Sequence, residues 1–277
     1  MSNPASSPSP RPITWNETSD SGPGALENLL VWRGTGNNEI NLSAMPDDQG
    51  KWQLGETTAA SPGVAGFNNE TWIAWTGTHG PFDPDFGRLN VTNTEDPKKH
   101  KVTLPDEATN VGLALAAFNG QLYLSWVGTN GFLNVIRSDD GRKWQDKVTL
   151  RESSDDRPAL ATFGGVLYLA WKGTNRQPNV ILSQNGRDFY GKQSFTDRCV
   201  GGPGLAVYRD KLYLGWPDFD SLGLIDTLDG VNWSRTQQFS QTSVDSVALS
   251  VVGGNLAFCW TGRNWKLNLM YPVPPHT

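Results

Sequence analysis

Gln121-Leu-Tyr-Leu-Ser-Trp-Val-Gly-Thr-Asn-Gly-Phe-Leu-Asn-Val135 is one copy of a pattern that runs through the whole chain. Its first six residues alternate aliphatic and aromatic side chains, which is strand chemistry. Val166-Leu-Tyr-Leu-Ala-Trp171 and Lys211-Leu-Tyr-Leu-Gly-Trp216 repeat it. Trp126-Val-Gly-Thr129 recurs as Trp32-Arg-Gly-Thr35, Trp75-Thr-Gly-Thr78 and Trp171-Lys-Gly-Thr174, with degenerate copies at Trp216-Pro-Asp-Phe219 and Trp260-Thr-Gly-Arg263. The tryptophans stand 43 to 51 residues apart. An Asn between apolar neighbours follows at Asn41, Asn134, Asn179 and Asn268; an insertion, His79 to Gly87, delays it to Asn90, and Leu224 replaces it in the fifth copy.

Working outward, a small-residue strand precedes each alternating segment: Gly63-Val-Ala, Gly112-Leu-Ala, Ala159-Leu-Ala, Gly204-Leu-Ala and Ser246-Val-Ala. Asn119-Gly120, Gly164-Gly165 and Gly253-Gly254 join the two as tight hairpins, because these pairs tolerate positive φ. Downstream comes a polar turn and an aromatic, as in Asp140-Gly-Arg-Lys-Trp144 and Asp229-Gly-Val-Asn-Trp233. Four short strands in roughly 45 residues, repeated six times, predict an all-β, six-bladed β-propeller with four antiparallel strands per blade. The blades are expected near 24–58, 59–105, 108–151, 155–196, 199–240 and 243–271. The sixth copy lacks a fourth strand, and Ile13-Thr-Trp-Asn-Glu17 supplies one, so the N-terminal strand is expected to close the ring. The first blade is short and should be irregular. Residues 1–11, dense in Pro and Ser, read as a disordered lead, and 12–277 as a single domain.

Ser138-Asp-Asp-Gly-Arg-Lys-Trp144 resembles the Asp-box turn of sialidase-like propellers, with Ser183-Gln-Asn-Gly-Arg-Asp-Phe189 and Asp229-Gly-Val-Asn-Trp233 as looser copies. The resemblance covers nearly the whole chain at the level of the repeat. It implies a structural turn remote from the functional face, and a lectin-like member of the group. The Phe/Tyr-Arg-Ile-Pro motif of the sialidases is absent, since Arg11-Pro-Ile13 has another order, and no Tyr stands at a loop start to act as nucleophile.

Composition narrows the function. Net charge is −5 and the isoelectric point near 5.2, which disfavours phosphate-backbone binding and an anionic membrane surface. No apolar run is long enough to span a bilayer. The N-terminus has no secretory signal pattern, so the chain is expected to be cytoplasmic or exported without a classical signal peptide. Three His give no triad or zinc spacing, Cys199 and Cys259 read as buried free thiols, and no phosphate loop or dinucleotide fingerprint occurs. Asp83 with Asp85, and Asp218 with Asp220, offer too few ligands for Ca²⁺. No cofactor, metal or catalytic residue is therefore expected.

Candidate binding residues lie on the loops at one end of the blades. Aligned by repeat, Glu17, Glu56, Asp106, Glu152, Asp197 and Gln241 share one position. They read either as acceptors for sugar hydroxyls or as carboxylates holding loop amides. The six motif tryptophans invite a sugar-stacking reading, but one Trp per blade at one depth fits wedging between blades. Ten of the twelve Trp are on the repeat; Trp72 and Trp265 are not. Arg33, Lys172, Arg176, Arg198 and Arg263 supply cations, with Arg157 at a strand start. Asn130, Phe132, Asn175, Asn264 and Trp265 stand at hairpin tips. Quasi-repeated sites without an asymmetric catalytic constellation point to a carbohydrate-binding protein whose partners are glycans or glycoproteins. The alternatives are a sialidase-type glycoside hydrolase and a protein-binding scaffold.

Overall fold

The computed structural model describes residues 12–78, 86–271 and 273. The insertion carboxylates Asp83 and Asp85, and the expected lead over 1–11, lie outside these. The described residues form six antiparallel sheets of four strands each, arranged as a six-bladed propeller. Blade I is Gly24–Leu26, Leu29–Arg33, Glu39–Ala44 and Gln49–Thr57. Blade II is Gly63–Phe67, Glu70–Thr76, Arg88–Asn93 and Val102–Ala108, and blade III is Ala114–Phe118, Gln121–Val127, Phe132–Ser138 and Trp144–Ser153. Blade IV is Ala159–Phe163, Val166–Lys172, Pro178–Ser183 and Tyr190–Ser194; blade V is Gly204–Tyr208, Lys211–Pro217, Leu222–Thr227 and Gln237–Phe239. Blade VI is Ala248–Val252, Asn255–Thr261 and Lys266–Met270, completed by Ile13–Thr18. The first strand of blade I is three residues long, the expected irregularity. The helix Pro97–His100 is a single turn, capped by the Asp96 carboxylate.

Closure follows the predicted pairing. Ile13 stands opposite Leu269, Thr14 opposite Asn268 and Thr18 opposite Lys266. Trp15 is buried, meets Trp32 edge-on at 6.0 Å, and donates its Nε1–H to the Pro46 carbonyl at 3.0 Å. The N-terminal strand covers the edge that Lys266–Met270 would otherwise present and completes the four-stranded blade.

The motif has a steric cause. A Cβ on Gly34, Gly128, Gly173 or Gly262 would come within 3.0 Å of two Asn side chains, that of the third strand and that of the hairpin tip. The third-strand Asn uses the space. Asn134 donates to the Phe132 carbonyl at 2.9 Å and accepts from Thr149 Oγ1 at 2.7 Å, tying the hairpin to the fourth strand. Asn90, Asn179 and Asn268 do the same with Thr103, Ser194 and Thr14. In blade V the residue opposite Trp216 is Gly223, not Leu224, because the turn is shorter. A Cβ there would lie 2.5 Å from the Trp216 ring, so the indole fills the space that Asn takes elsewhere.

Trp72 also falls on the repeat. It holds the slot of Tyr123, Tyr168 and Tyr213, three residues before the motif Trp, and is fully buried. The polar turns explain that slot: Gly141, Gly186 and Gly230, each at positive φ, lie against the rings of Trp72, Tyr123 and Tyr168 in the preceding blade. Asp140 Oδ1 accepts the amides of Lys143 and Arg142, both at 2.8 Å, and these bonds hold its carboxyl below the usual range. Asp229 is lowered by the same kind of bonds, first from Asn232. These turns sit at the opposite end of the strands from the candidate loops. Cys199 and Cys259 are buried and unpaired, and burial pushes both thiols up.

Candidate functional site

The turns between second and third strands and the segments leading into each first strand make one end of the propeller. Five of these turns carry a residue at positive φ: Asn38, Gly87, Gly131, Arg176 and Trp265. The carbonyl of each accepts the amide that opens the next leading segment, from Thr58, Thr109, Ser154, Cys199 and Ser19 respectively, at 2.8–3.0 Å. The tip asparagines are turn caps: Asn130, Asn175 and Asn264 accept the amides of Phe132, Gln177 and Lys266 through Oδ1 at 3.1–3.2 Å.

The acidic positions lie at the seams between blades, and four of them meet a lysine from the next blade. Glu17 pairs with Lys51 at 2.6 Å, Glu56 with Lys101 at 2.7 Å, Glu107 with Lys147 at 2.6 Å and Glu152 with Lys192 at 2.5 Å. In blade II the acid in register is therefore Glu107; Asp106 is its exposed neighbour. Blades I, III and VI bulge at the same place, but the bulge of blade II is one residue longer, with Arg88 paired to Ala108 and Leu89 to Leu104, and that extra residue causes the shift. Each of the four ammonium groups also sits over the motif tryptophan of its own blade, 5.4–5.7 Å from Trp32, Trp75, Trp126 and Trp171. The indoles themselves are buried. The fifth seam replaces the lysine with Thr236, whose Oγ1 is 3.0 Å from Asp197. At the sixth, Gln241 faces the blade in which Pro12 holds the lysine position.

Between blades I and II these groups enclose a pocket of about 220 Å³, lined by Glu56, Thr57, Trp75, Thr78, Asn90 and Lys101 among others. It offers a carboxylate acceptor, an ammonium donor and two hydroxyls, Thr57 and Thr78, 2.5 Å apart. The lysines carry no sequence signature of their own. They recur three residues before the apolar fourth-strand residues Leu54, Leu104, Leu150 and Phe195, and that periodicity is the signal that finds them.

Four of the remaining cations are tied down. Arg33 donates to Asn38 Oδ1 at 2.8 Å and to the Ala59 carbonyl at 3.2 Å. Lys172 is buried between Asp155 at 3.0 Å and Asp156 at 3.5 Å; burial acts to lower its pKa, but the two carboxylates outweigh it and the net shift is upward. Arg198 stacks on Phe219 at 4.9 Å, and Arg263 donates to the Phe219 carbonyl at 2.7 Å. Arg176 is exposed at its tip, as are Phe132 at 41% and Trp265 at 49%.

At the axis the chemistry is single-copy. Arg157, from blade IV, is buried and donates to the carbonyls of Pro23 at 2.8 Å, Pro62 at 3.5 Å and Val247 at 2.6 Å. These belong to the segments leading into blades I, II and VI, so one guanidinium ties four blades together. Asp156 beside it is pushed up to about 6, by burial first and by Asp245 second. A pocket of about 250 Å³ opens here, lined by Asp20, Ser21, Arg33, Asp155, Asp156 and Asp245 among others.

No family model and no curated protein sequence matches the chain. Solved structures do. The BP39L lectin from Burkholderia pseudomallei superposes with a TM-score of 0.63 at 14% identity, over 94% of this chain and 80% of that one. A variant of the Aleuria aurantia lectin in complex with Fucalpha1-6GlcNAc gives 0.62 at 11%, over 90% of both chains. Trypanosoma rangeli sialidase in complex with the inhibitor DANA gives 0.58 at 12%, over 92% of this chain and 55% of that one. At these identities the likeness is one of fold: a β-propeller shared by lectins and glycoside hydrolases.

Proposed function

We propose that the chain is a carbohydrate-binding protein of the lectin type, with glycan sites repeated in the seams between blades. The observation that carries this reading is the fourfold Glu–Lys pair over a motif tryptophan. A sugar hydroxyl is both donor and acceptor, so adjacent hydroxyls can accept from the ammonium and donate to the carboxylate at once. Binding chemistry can be duplicated with its blade, and several weak sites on one molecule gain by avidity. Catalysis needs one asymmetric constellation, which a repeated seam does not supply. The ring then holds four such sites, at the VI/I, I/II, II/III and III/IV seams, and the two seams that lack lysine are poor ones.

One observation favours hydrolysis as a second reading: the Asp156–Asp245 pair at the axis, in which one carboxyl stays protonated to about pH 6. A glycan array run beside a panel of fluorogenic glycosides separates the two. Lectin function predicts glycan capture without turnover, weakened by Lys101→Met or Glu152→Gln. Turnover abolished by Asp156→Asn would install the hydrolase, and capture of no glycan would remove the lectin.

A further inference from the structure

The four Glu–Lys seams share a floor but not a wall. The hairpin tip that abuts each seam is fixed by the same backbone bond, and what it presents differs. At VI/I, Ser19, two residues past Glu17, donates to the carbonyl of Trp265 at 2.9 Å, and Thr18 pairs with Lys266. At III/IV, Ser154, two residues past Glu152, donates to Gly131 at 3.0 Å, and Ser153 pairs with Phe132. At I/II the corresponding tip residues are Asn38 and Glu39, and at II/III they are Gly87 and Arg88. Phe86, on the outer side of Gly87, stands one place outside this pair.

Trp265 is the informative residue. Its φ of 63° places a bulky side chain in the left-handed region, where Gly131 and Gly87 sit without strain. Nearly half of the residue's surface is exposed, so burial does not offset the strain. Blades I to III place Asn or Gly at this position and blade IV places Arg176 at a φ of 61°, so Trp265 is the one aromatic held there. Backbone strain kept at an exposed aromatic is an outlier that points toward function. Phe132 is likewise an exposed ring on the strand residue that flanks its seam.

Resting on the lectin reading, we infer that the seams form two classes: VI/I and III/IV, walled by Trp265 and Phe132, bind a sugar more tightly than I/II and II/III. The ligand class is a neutral pyranoside with an apolar C–H face for the ring and adjacent hydroxyls for the Glu–Lys floor. Each floor already balances its charge. A sugar carboxylate would have to draw Lys from Glu and leave two carboxylates facing one ammonium, a like-charge arrangement with a Coulombic cost.

The test uses the full chain and methyl glycosides of neutral hexoses and pentoses, with N-acetylneuraminic acid as the acidic probe. Calorimetry gives the number of tight sites, and indole fluorescence reports on Trp265. Two tight sites are expected in the native chain. Trp265→Gly removes one of them, weakening that seam about tenfold, the loss expected for one aromatic contact. It also removes the ligand-induced fluorescence change and leaves the melting temperature equal or raised, because Gly suits the backbone. Phe132→Ala removes the other tight site. Glu39→Phe, which copies the Phe132 wall onto I/II, adds one. Equal sites in the native chain, or Trp265→Gly that lowers the melting temperature while binding is unchanged, overturns the inference and leaves the lectin reading in place. Binding of the acidic probe alone overturns the ligand class. Failure of every glycoside to bind removes both readings.

Discussion

The seams and the axis of this propeller are built on opposite terms. The seam chemistry is copied: four Glu–Lys pairs, a fifth reduced to Asp197 and Thr236, and a sixth lost at Gln241. The axial chemistry occurs once, in the buried Arg157 and its half-buried neighbours Asp156 and Asp245, and draws on the backbone of several blades. Seam lysines are about a third exposed or more, so their pairs contribute about 0–1 kcal/mol each. A seam can therefore decay or change its specificity without endangering the fold. The axis cannot, because removing one side chain there strips partners from three carbonyls. If this contrast holds, stability should respond to the axis and to the closing strand, and binding to the seams.

The largest effect should come from the closing strand. Deleting residues 1–18 removes the fourth strand of blade VI, the buried Trp15, and the acid of the VI/I seam. Deleting 1–10 removes none of these. Thermal melts of the two truncations should differ sharply, with the longer deletion close to unfolded. Equal melting temperatures would break the closure argument. Next in size is Arg157→Met, which leaves three axial carbonyls without their donor and Asp156 with Lys172 as its remaining neighbouring cation. A loss of about 3–5 kcal/mol is expected in denaturant unfolding, the range for breaking a buried charged network. A loss below about 1 kcal/mol would mean that the axis contributes no more than a seam.

A pH effect of intermediate size isolates Asp156. Its folded pKa of about 6 lies above the unfolded value of about 3.9, so the native state binds more protons between the two. The sign follows from linkage: this group's contribution favours the native state fully below about pH 4 and is lost as pH rises through 6. Asp156→Asn should flatten that slope, which amounts to on the order of 2–3 kcal/mol in full. A variant with the same pH profile as the native chain would show that the slope belongs to other groups.

The fold was legible because its rules repeat. Four of the six copies state the same steric condition, a Gly that makes room for two Asn side chains, so the repetition averages out local noise. Closure was legible because a missing strand and a spare strand matched in pattern. The errors fell where geometry departs from counting. An extra residue in the bulge of blade II moved the acid from Asp106 to Glu107, a shortened turn moved the fifth Asn slot to Gly223, and a Tyr-to-Trp exchange hid the periodicity of Trp72. The site was less legible still. Half of each Glu–Lys pair comes from the next blade, about 35–45 residues away in sequence, and only the sheet-to-sheet packing brings the halves together. In sequence Arg157 is one more cation, at a strand start, and nothing local says that its guanidinium reaches the axis.

The smallest stability effect is the sharpest test of the comparison. Lys101→Met keeps the aliphatic stem over Trp75 and deletes the ammonium that pairs with Glu56. The pair is partly solvated, and Glu56 can rehydrate when its partner goes, so the cost to stability should stay below about 1 kcal/mol. Binding at the I/II seam should fall far more in proportion. The carboxylate remains as an acceptor, but the charged donor is gone, and a hydrogen bond to a charged group contributes about 1.5–3 kcal/mol. The measurement is paired: a denaturant melt and a glycan-binding isotherm on the same variant, each set against Arg157→Met. Seam and axis are separable if Lys101→Met lowers binding with a nearly native melt while Arg157→Met lowers the melt. If Lys101→Met destabilises as much as Arg157→Met does, the seam pairs are structural clamps between blades, and the fourfold repetition reflects what holds the ring together instead of what it binds.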